Sequence, residues 1–291
     1  MSSLYGFEVK TDLALSRLNS AAGTRGELRI EAAAEPLHRP DRAPVSTLVS
    51  DDGHCWYASY ELGDGCCLLE LPPTASFLLE PLAGRVVVDS AEDDAELLEH
   101  RIVSSAVCTL LAMRGDLVLH ASAVEAGGRA VLFCGPTQRG KSTLARVLGE
   151  AGHRLLGEDG IAIEQRDGES LAFPGARGVR VRSRDGEGRN RTDLLPDPGN
   201  EEPDPCLVGA VVLLGERGER LTVAPLEPAR ALALLTPNLV HSGSRGAISE
   251  AFANLATLLG SIPAFTASLP DDLDALAGSS ARLLDSIDLD G

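Results

Sequence analysis

The chain has 291 residues, 44% apolar and 24% charged, the balance of a globular protein with a substantial core. Its formal charge of −17 weighs against nucleic acid, which rewards basic surfaces, and against anionic membranes. Aromatics are only 3%, so Leu, Val and Ala must fill most of the interior.

The first 20 residues carry Lys10, Asp12 and Arg17 and lack an apolar core segment, which predicts no signal peptide. No apolar run reaches 18 residues, so no membrane span is expected. The cysteines, Cys55, Cys66, Cys67, Cys108, Cys134 and Cys206, make no C-x-x-C pair and read as free thiols in a reducing cytoplasm. Residues 1–89 read as a β-rich domain with strands at Tyr5–Val9, Glu27–Ala32, Ser46–Val49, Trp56–Leu62, Cys67–Leu71 and Arg85–Val88. Trp56, Tyr57 and Tyr60 are expected to pack in its core rather than form a ligand platform. This region shows no catalytic constellation, so substrate recognition is its expected role.

Residues 90–291 read as the second domain. A helix is predicted over 90–113, with Ser90 as cap and acids in its first turn. Strand material follows at Leu117–His120 and Ala121–Val124, and Gly127-Gly128 turns the chain into a strand over Ala130–Cys134. The next residues, Gly135-Pro136-Thr137-Gln138-Arg139-Gly140-Lys141-Ser142-Thr143, contain the phosphate-loop pattern G-x-x-x-x-G-K-[ST] between that strand and a helix-like stretch, 142–151. In such a loop, backbone N–H groups and a helix N-terminus wrap the phosphates, the Lys reaches the β/γ oxygens and the Ser hydroxyl binds Mg²⁺. Composition sharpens the assignment. The chain has two lysines, Lys10 and Lys141, against 24 arginines, and Lys141 sits where a compact ammonium is needed rather than a planar fork.

A short strand at His153–Leu156 closes on Glu158-Asp159, an acidic pair at the place where phosphoryl transfer requires a metal acid and an acceptor base; a solvated turn is the alternative. His120 reads either as a group beside the nucleotide or as a hydrogen-bonded structural histidine. His153 reads as a cation at a helix C-terminus. Further strands are predicted at Ile161–Glu164, Val179–Val181, Leu207–Leu214, Leu221–Ala224 and Pro263–Leu269. Helices are predicted at Pro228–Leu235, Ile248–Leu259 and Asp271–Leu284, and a polar loop over 183–205 is a candidate lid.

The run from Leu117 to Glu164 resembles the catalytic domain of HPr kinase/phosphorylase and related serine kinases. His120, the loop Gly135–Ser142, and Gly152–Leu155 followed by Glu158-Asp159 carry the likeness in that order, and 173–181 resembles the Pro-Gly…Arg segment of the shorter relatives. The N-terminal region resembles, more loosely, HPr-kinase-related proteins found beside peptide-modification genes, lasso peptide clusters included. The resemblance implies an α/β fold with a P-loop core and an enzyme that moves the γ-phosphoryl of ATP, with Mg²⁺, to a serine hydroxyl of a peptide or protein. It further implies Lys141 on the β/γ-phosphates, Ser142 and Asp159 on the metal, Glu158 as base, an arginine (Arg180, with Arg177 and Arg182 competing) on the transition state, and symmetric homo-oligomers. Glu158 departs from the family's Asp, and the long glycine-rich signature of the bifunctional enzyme is absent, so phosphorylase activity is not implied. Two alternatives stand beside this reading: a nucleotide-binding regulatory module with degraded catalysis, and a kinase of small-molecule hydroxyls.

Overall fold

The computed structural model describes residues 2–20, 23–49, 53, 55–184, 190–195 and 204–287. It is a mixed α/β structure whose contacts gather into two units, Met1–Val118 with Val240–Phe252, and Leu119–Leu239 with Ala253–Gly291.

The first unit carries β1 (Ser3–Leu4), β2 (Phe7–Thr11), β3 (Glu27–Ala32), β4 (Ser46–Val49), β5 (Cys55–Glu61), β6 (Cys67–Leu71), β7 (Ala75–Glu80) and β8 (Arg85–Ser90). They form one sheet in the order β1-β2-β3-β8-β7-β6-β5-β4. Side chains alternate across it as the pleat requires: Leu28 and Ile30 of β3 are buried, while their neighbours Glu27 and Arg29 are exposed. Strand β7 escapes a reading by alternation because outward-facing Leu78 sits between inward-facing Phe77 and Leu79. Tyr60 packs inward, but Trp56 is 57% exposed, which corrects the expectation of a packed tryptophan.

The predicted helix over 90–113 is shorter and interrupted. Ser90 ends β8, and Asp94 is the cap, its carboxylate accepting from Leu97 N at 3.0 Å. Then come α1 (Ala95–Arg101), a wider π turn at Ile102–Ala106 and α2 (Val107–Met113), which packs on β7 with Val107, Leu110 and Leu111 fully buried. The division between the units falls inside β9 (Leu117–Leu119).

In the second unit, β10 (Ala121–Ala126) and β11 (Arg129–Cys134) make an antiparallel hairpin ahead of α3 (Lys141–Glu150). There follow β12 (Leu155–Gly157), β13 (Ile161–Arg166), β14 (Glu169–Phe173), the hairpin β15 (Val179–Arg184) with β16 (Asn190–Leu195), β17 (Cys206–Leu214) and β18 (Thr222–Pro225). The main sheet runs β12-β10-β11-β17-β14-β13. Strand β17 is parallel to β11, β19 (Ala264–Ser268) is parallel to β17, and β18 pairs antiparallel with β19. Being covered on both faces, β17 is a nearly continuous apolar run. Val131 and Phe133, Leu144, Ala145 and Leu148 of α3, and Val212, Leu214 and Phe265 share one core.

The helices α4 (Pro228–Leu235), α5 (Arg245–Ser261), α6 (Leu273–Ala277) and α7 (Ser280–Asp285) complete the chain, α5 running from the first unit's residues into the second's. One helix was expected over 271–284; the chain breaks at Gly278-Ser279, where the Ser279 hydroxyl donates back to Ala275 O at 2.6 Å. Strand β16 likewise replaces part of the loop expected over 183–205, whose residues 185–189 and 196–203 lie outside the described residues. No helix among the described residues is long and apolar enough to cross a membrane.

Candidate functional site

Strand pairing decides what meets at the end of this sheet. Ala121 pairs with Cys134, so the start of β10 lies beside the end of β11. Ala123 pairs with Gly157, which brings the end of β12 to the same edge. His120, the loop after Cys134 and Glu158-Asp159 therefore converge, although His120 and Asp159 stand 39 positions apart in the chain. Because β17 and β19 run parallel to β11, the segments after Leu214 and Ser268 emerge at that edge too.

The loop's two glycines are fixed by geometry. Gly135 has φ +137°, and a Cβ there would stand 2.8 Å from Leu214 O. Gly140 has φ +97° and is the N-cap of α3, with no side-chain cap. Between them, Pro136, Thr137 and Gln138 are exposed, and Arg139 is half-buried with a 3.6 Å ion pair to exposed Glu216. Leu144 N donates to Gly140 O at 2.8 Å; the N–H groups of Lys141, Ser142 and Thr143 have no earlier carbonyl within the helix to bond, as at any helix start. Such a start, joined to a glycine-rich turn, attracts anions.

Lys141 is the buried cation here, 7% exposed. Its Nζ donates to Gly135 O at 2.7 Å and Pro136 O at 3.3 Å. Burial pushes its pKa below that of an ordinary lysine, opposed first by Asp159, then by Cys134 and Glu158. Cys134 under the loop is fully buried, its thiol pushed up to about 12 by desolvation, and all six cysteines are free.

Glu158 is 4% exposed. Asp159 adopts φ +63°, a left-handed conformation that Asp tolerates better than most residues. Its carbonyl lies 2.9 Å from His120 Nδ1. A carbonyl only accepts, so Nδ1 carries the proton of this hydrogen bond.

The sequence reading missed Asn238, on the turn Thr236–Asn238. It is buried; its Nδ2 donates to His120 O at 3.2 Å and to Gly135 O at 3.3 Å, and its backbone carbonyl accepts from His120 N at 2.7 Å. One amide thus ties the histidine to the loop. Arg217 was missed as well: its Nη2 lies 2.7 Å from where a Cβ of Gly140 would stand. Neither position belongs to a local motif, and only sheet topology brings them here.

The Pro-Gly segment passes close to the acidic pair, Gly175 N donating to Leu156 O at 2.7 Å, with Arg177 half-buried beyond it. Arg180 falls on β15, opposite Leu194 in the hairpin; its side chain, like that of Arg182, lies outside the described residues. His153 turns its Nδ1 to Glu125 O at 3.3 Å, while its N–H closes the end of α3 on Leu148 O.

Among the described residues no three His, Cys, Asp or Glu side chains cluster to hold a metal. The hydroxyl of Ser142 and the carboxylate of Asp159 are oxygen donors of the kind Mg²⁺ takes, a metal held by few protein oxygens and no nitrogen or sulfur cage.

No protein-family model matches this chain, and no curated protein matches it. Among solved structures, the Hpr(Ser) kinase/phosphatase from Coxiella burnetii aligns with 58% of this chain and 90% of its own at 15% identity and a TM-score of 0.33. A likeness that slight fixes neither the topology nor the activity of this chain.

Proposed function

We propose that the chain is an ATP-dependent kinase that transfers the γ-phosphoryl group to a serine hydroxyl of a peptide or protein. The observation that supports it is the convergence, at one sheet edge, of the glycine loop with buried Lys141 and of the acidic pair, Glu158 buried and Asp159 half-buried, that acts on the charge of that lysine. Carboxylates beside a phosphate cradle are what phosphoryl transfer needs beyond binding.

In this reading the triphosphate lies across the N–H groups of Gly140 to Thr143, and Lys141 exchanges its bonds to Gly135 O and Pro136 O for phosphate oxygens. Ser142 and Asp159 hold Mg²⁺, which when bound neutralises phosphate charge. Glu158 takes the proton of the acceptor hydroxyl as its oxygen bonds to the γ-phosphorus; the bond from that phosphorus to the β–γ bridging oxygen breaks, and ADP leaves. His120, through Nδ1 on Asp159 O, holds the acidic turn in place. Positioning and charge neutralisation supply most of the acceleration. The charge of −17 favours a neutral or basic acceptor, and six free thiols fit a reducing compartment.

The test is incubation with ATP, Mg²⁺ and serine-bearing peptides, followed by mass spectrometry. Glu158→Gln should lower transfer by about 10²–10⁴-fold, the worth of a general base, while ATP affinity stays near that of the parent. Unchanged transfer in that variant removes Glu158 from the role of base; tight ATP binding with no transfer to any hydroxyl sinks the kinase reading and leaves a regulatory nucleotide-binding module.

A further inference from the structure

We propose that Arg217 reads the nucleoside end of the donor, laying its guanidinium against the nucleobase; the inference rests on the nucleotide-binding part of the function proposed above. Strand order sets the direction. The acidic pair follows β12, on one side of β11 across β10, so the reacting end of a triphosphate points that way. Strands β17 and β19 lie on the other side of β11, and their C-terminal ends are where the rest of the ligand must extend.

Those two ends form a braced shelf. Gly218 N donates to Leu269 O at 2.9 Å, Asp271 N to Gly218 O at 3.3 Å, and Ser268 Oγ to Glu216 O at 2.6 Å. Arg217 rises from this shelf, Nη1 3.5 Å from Pro270 O and Nη2 against Gly140, with Leu269 Cδ1 3.6 Å from the same glycine's would-be Cβ. A half-buried planar cation against Gly140, on the β17 flank of the phosphate cradle and close to an apolar side chain, has the shape and charge to stack on an aromatic base. The neighbouring loop cation, Arg139, is engaged instead with Glu216.

The experiment titrates ATP and inorganic tripolyphosphate, each with Mg²⁺, into the full chain, Arg217→Ala, Arg217→Lys and Lys141→Ala. Arg217→Ala should weaken ATP about tenfold, which is about 1.4 kcal/mol and within the range of a partly desolvated cation–π contact, and leave tripolyphosphate unchanged. Arg217→Lys should restore little of that loss, because an ammonium does not stack. Intact tripolyphosphate binding also certifies that the variant is folded. Equal losses for both ligands, with rescue by Lys, would make Arg217 a phosphate cation and overturn the base-reading role; so would unchanged affinity for both. Failure of the parent to bind either ligand, or equal binding by Lys141→Ala, would instead strike the proposed function itself.

Discussion

Lys141 is held in the free protein by two carbonyls and little water, an environment that disfavours its charge. Its folded pKa lies below its unfolded one, so burial costs stability while both states are protonated. That cost is relieved as pH climbs through the lowered value. Phosphates favour the charged form, so ATP affinity should fall on the alkaline side at a lower pH than an ordinary lysine would dictate, as titration calorimetry over a pH series can read. Lys141→Met keeps the stem and removes the charge, while Gly135 O keeps its bond from Asn238. The variant should melt about 2–4 °C higher than the parent without nucleotide, the shift that about 1 kcal/mol gives in a domain of this size. It should also lose the stabilisation that ATP gives the parent under the proposed function, about 2.7 kcal/mol at a hundredfold excess over Kd. Lys141 was legible because its motif is contiguous. Asn238 and Arg217 were not, because an isolated Asn in a turn or Arg in a polar loop has the same local chemistry with or without a site nearby.

At the scale of elements, what the sequence reveals follows periodicity and punctuation. Strands β3, β4 and β6 and helix α4 lie where the pattern predicts them, since alternating or amphipathic runs are bounded there by Gly, Pro or Asp. Strand β14 was hidden because Glu169-Ser170 opens it with polar residues, and β16 because Asn190 to Asp193 reads as loop. The turn Thr236–Asn238 matters more than its three residues suggest, since it joins β10's entry to the loop. Asn238→Ala should cost about 1–3 kcal/mol, chiefly by leaving the His120 carbonyl unpaired, and melting curves will show it. Asn238→Asp should cost more, because a carboxylate cannot donate to the two carbonyls and adds negative charge beside the loop; its ATP affinity should fall below that of the Ala variant.

The whole chain does not divide at a single point. It passes between units at residue 118, returns at 240 and crosses again after 252. The returning stretch is bound into the first unit: Val240 N donates to Val118 O at 2.9 Å, and Ser59 Oγ to Ser242 O at 2.7 Å. The switch from short strands to a helical stretch suggests a cut near residue 90, a local signal that carries nothing about which distant segment packs with which unit. A fragment of residues 90–291 would keep 240–252 but lose the strand β5 that holds it. That fragment should lack a cooperative melting transition and elute as aggregate on size exclusion, whereas the intact chain should melt cooperatively and elute without aggregate. Near-exclusive use of arginine has a practical side at this scale. Side-chain amines occur at two places, one at the rim of a sheet on Lys10 and one beneath the glycine loop on Lys141. Read at the two lysine-bearing peptides, amine-directed labelling is therefore a two-channel measurement, with a surface reference and a reporter on how often the loop opens.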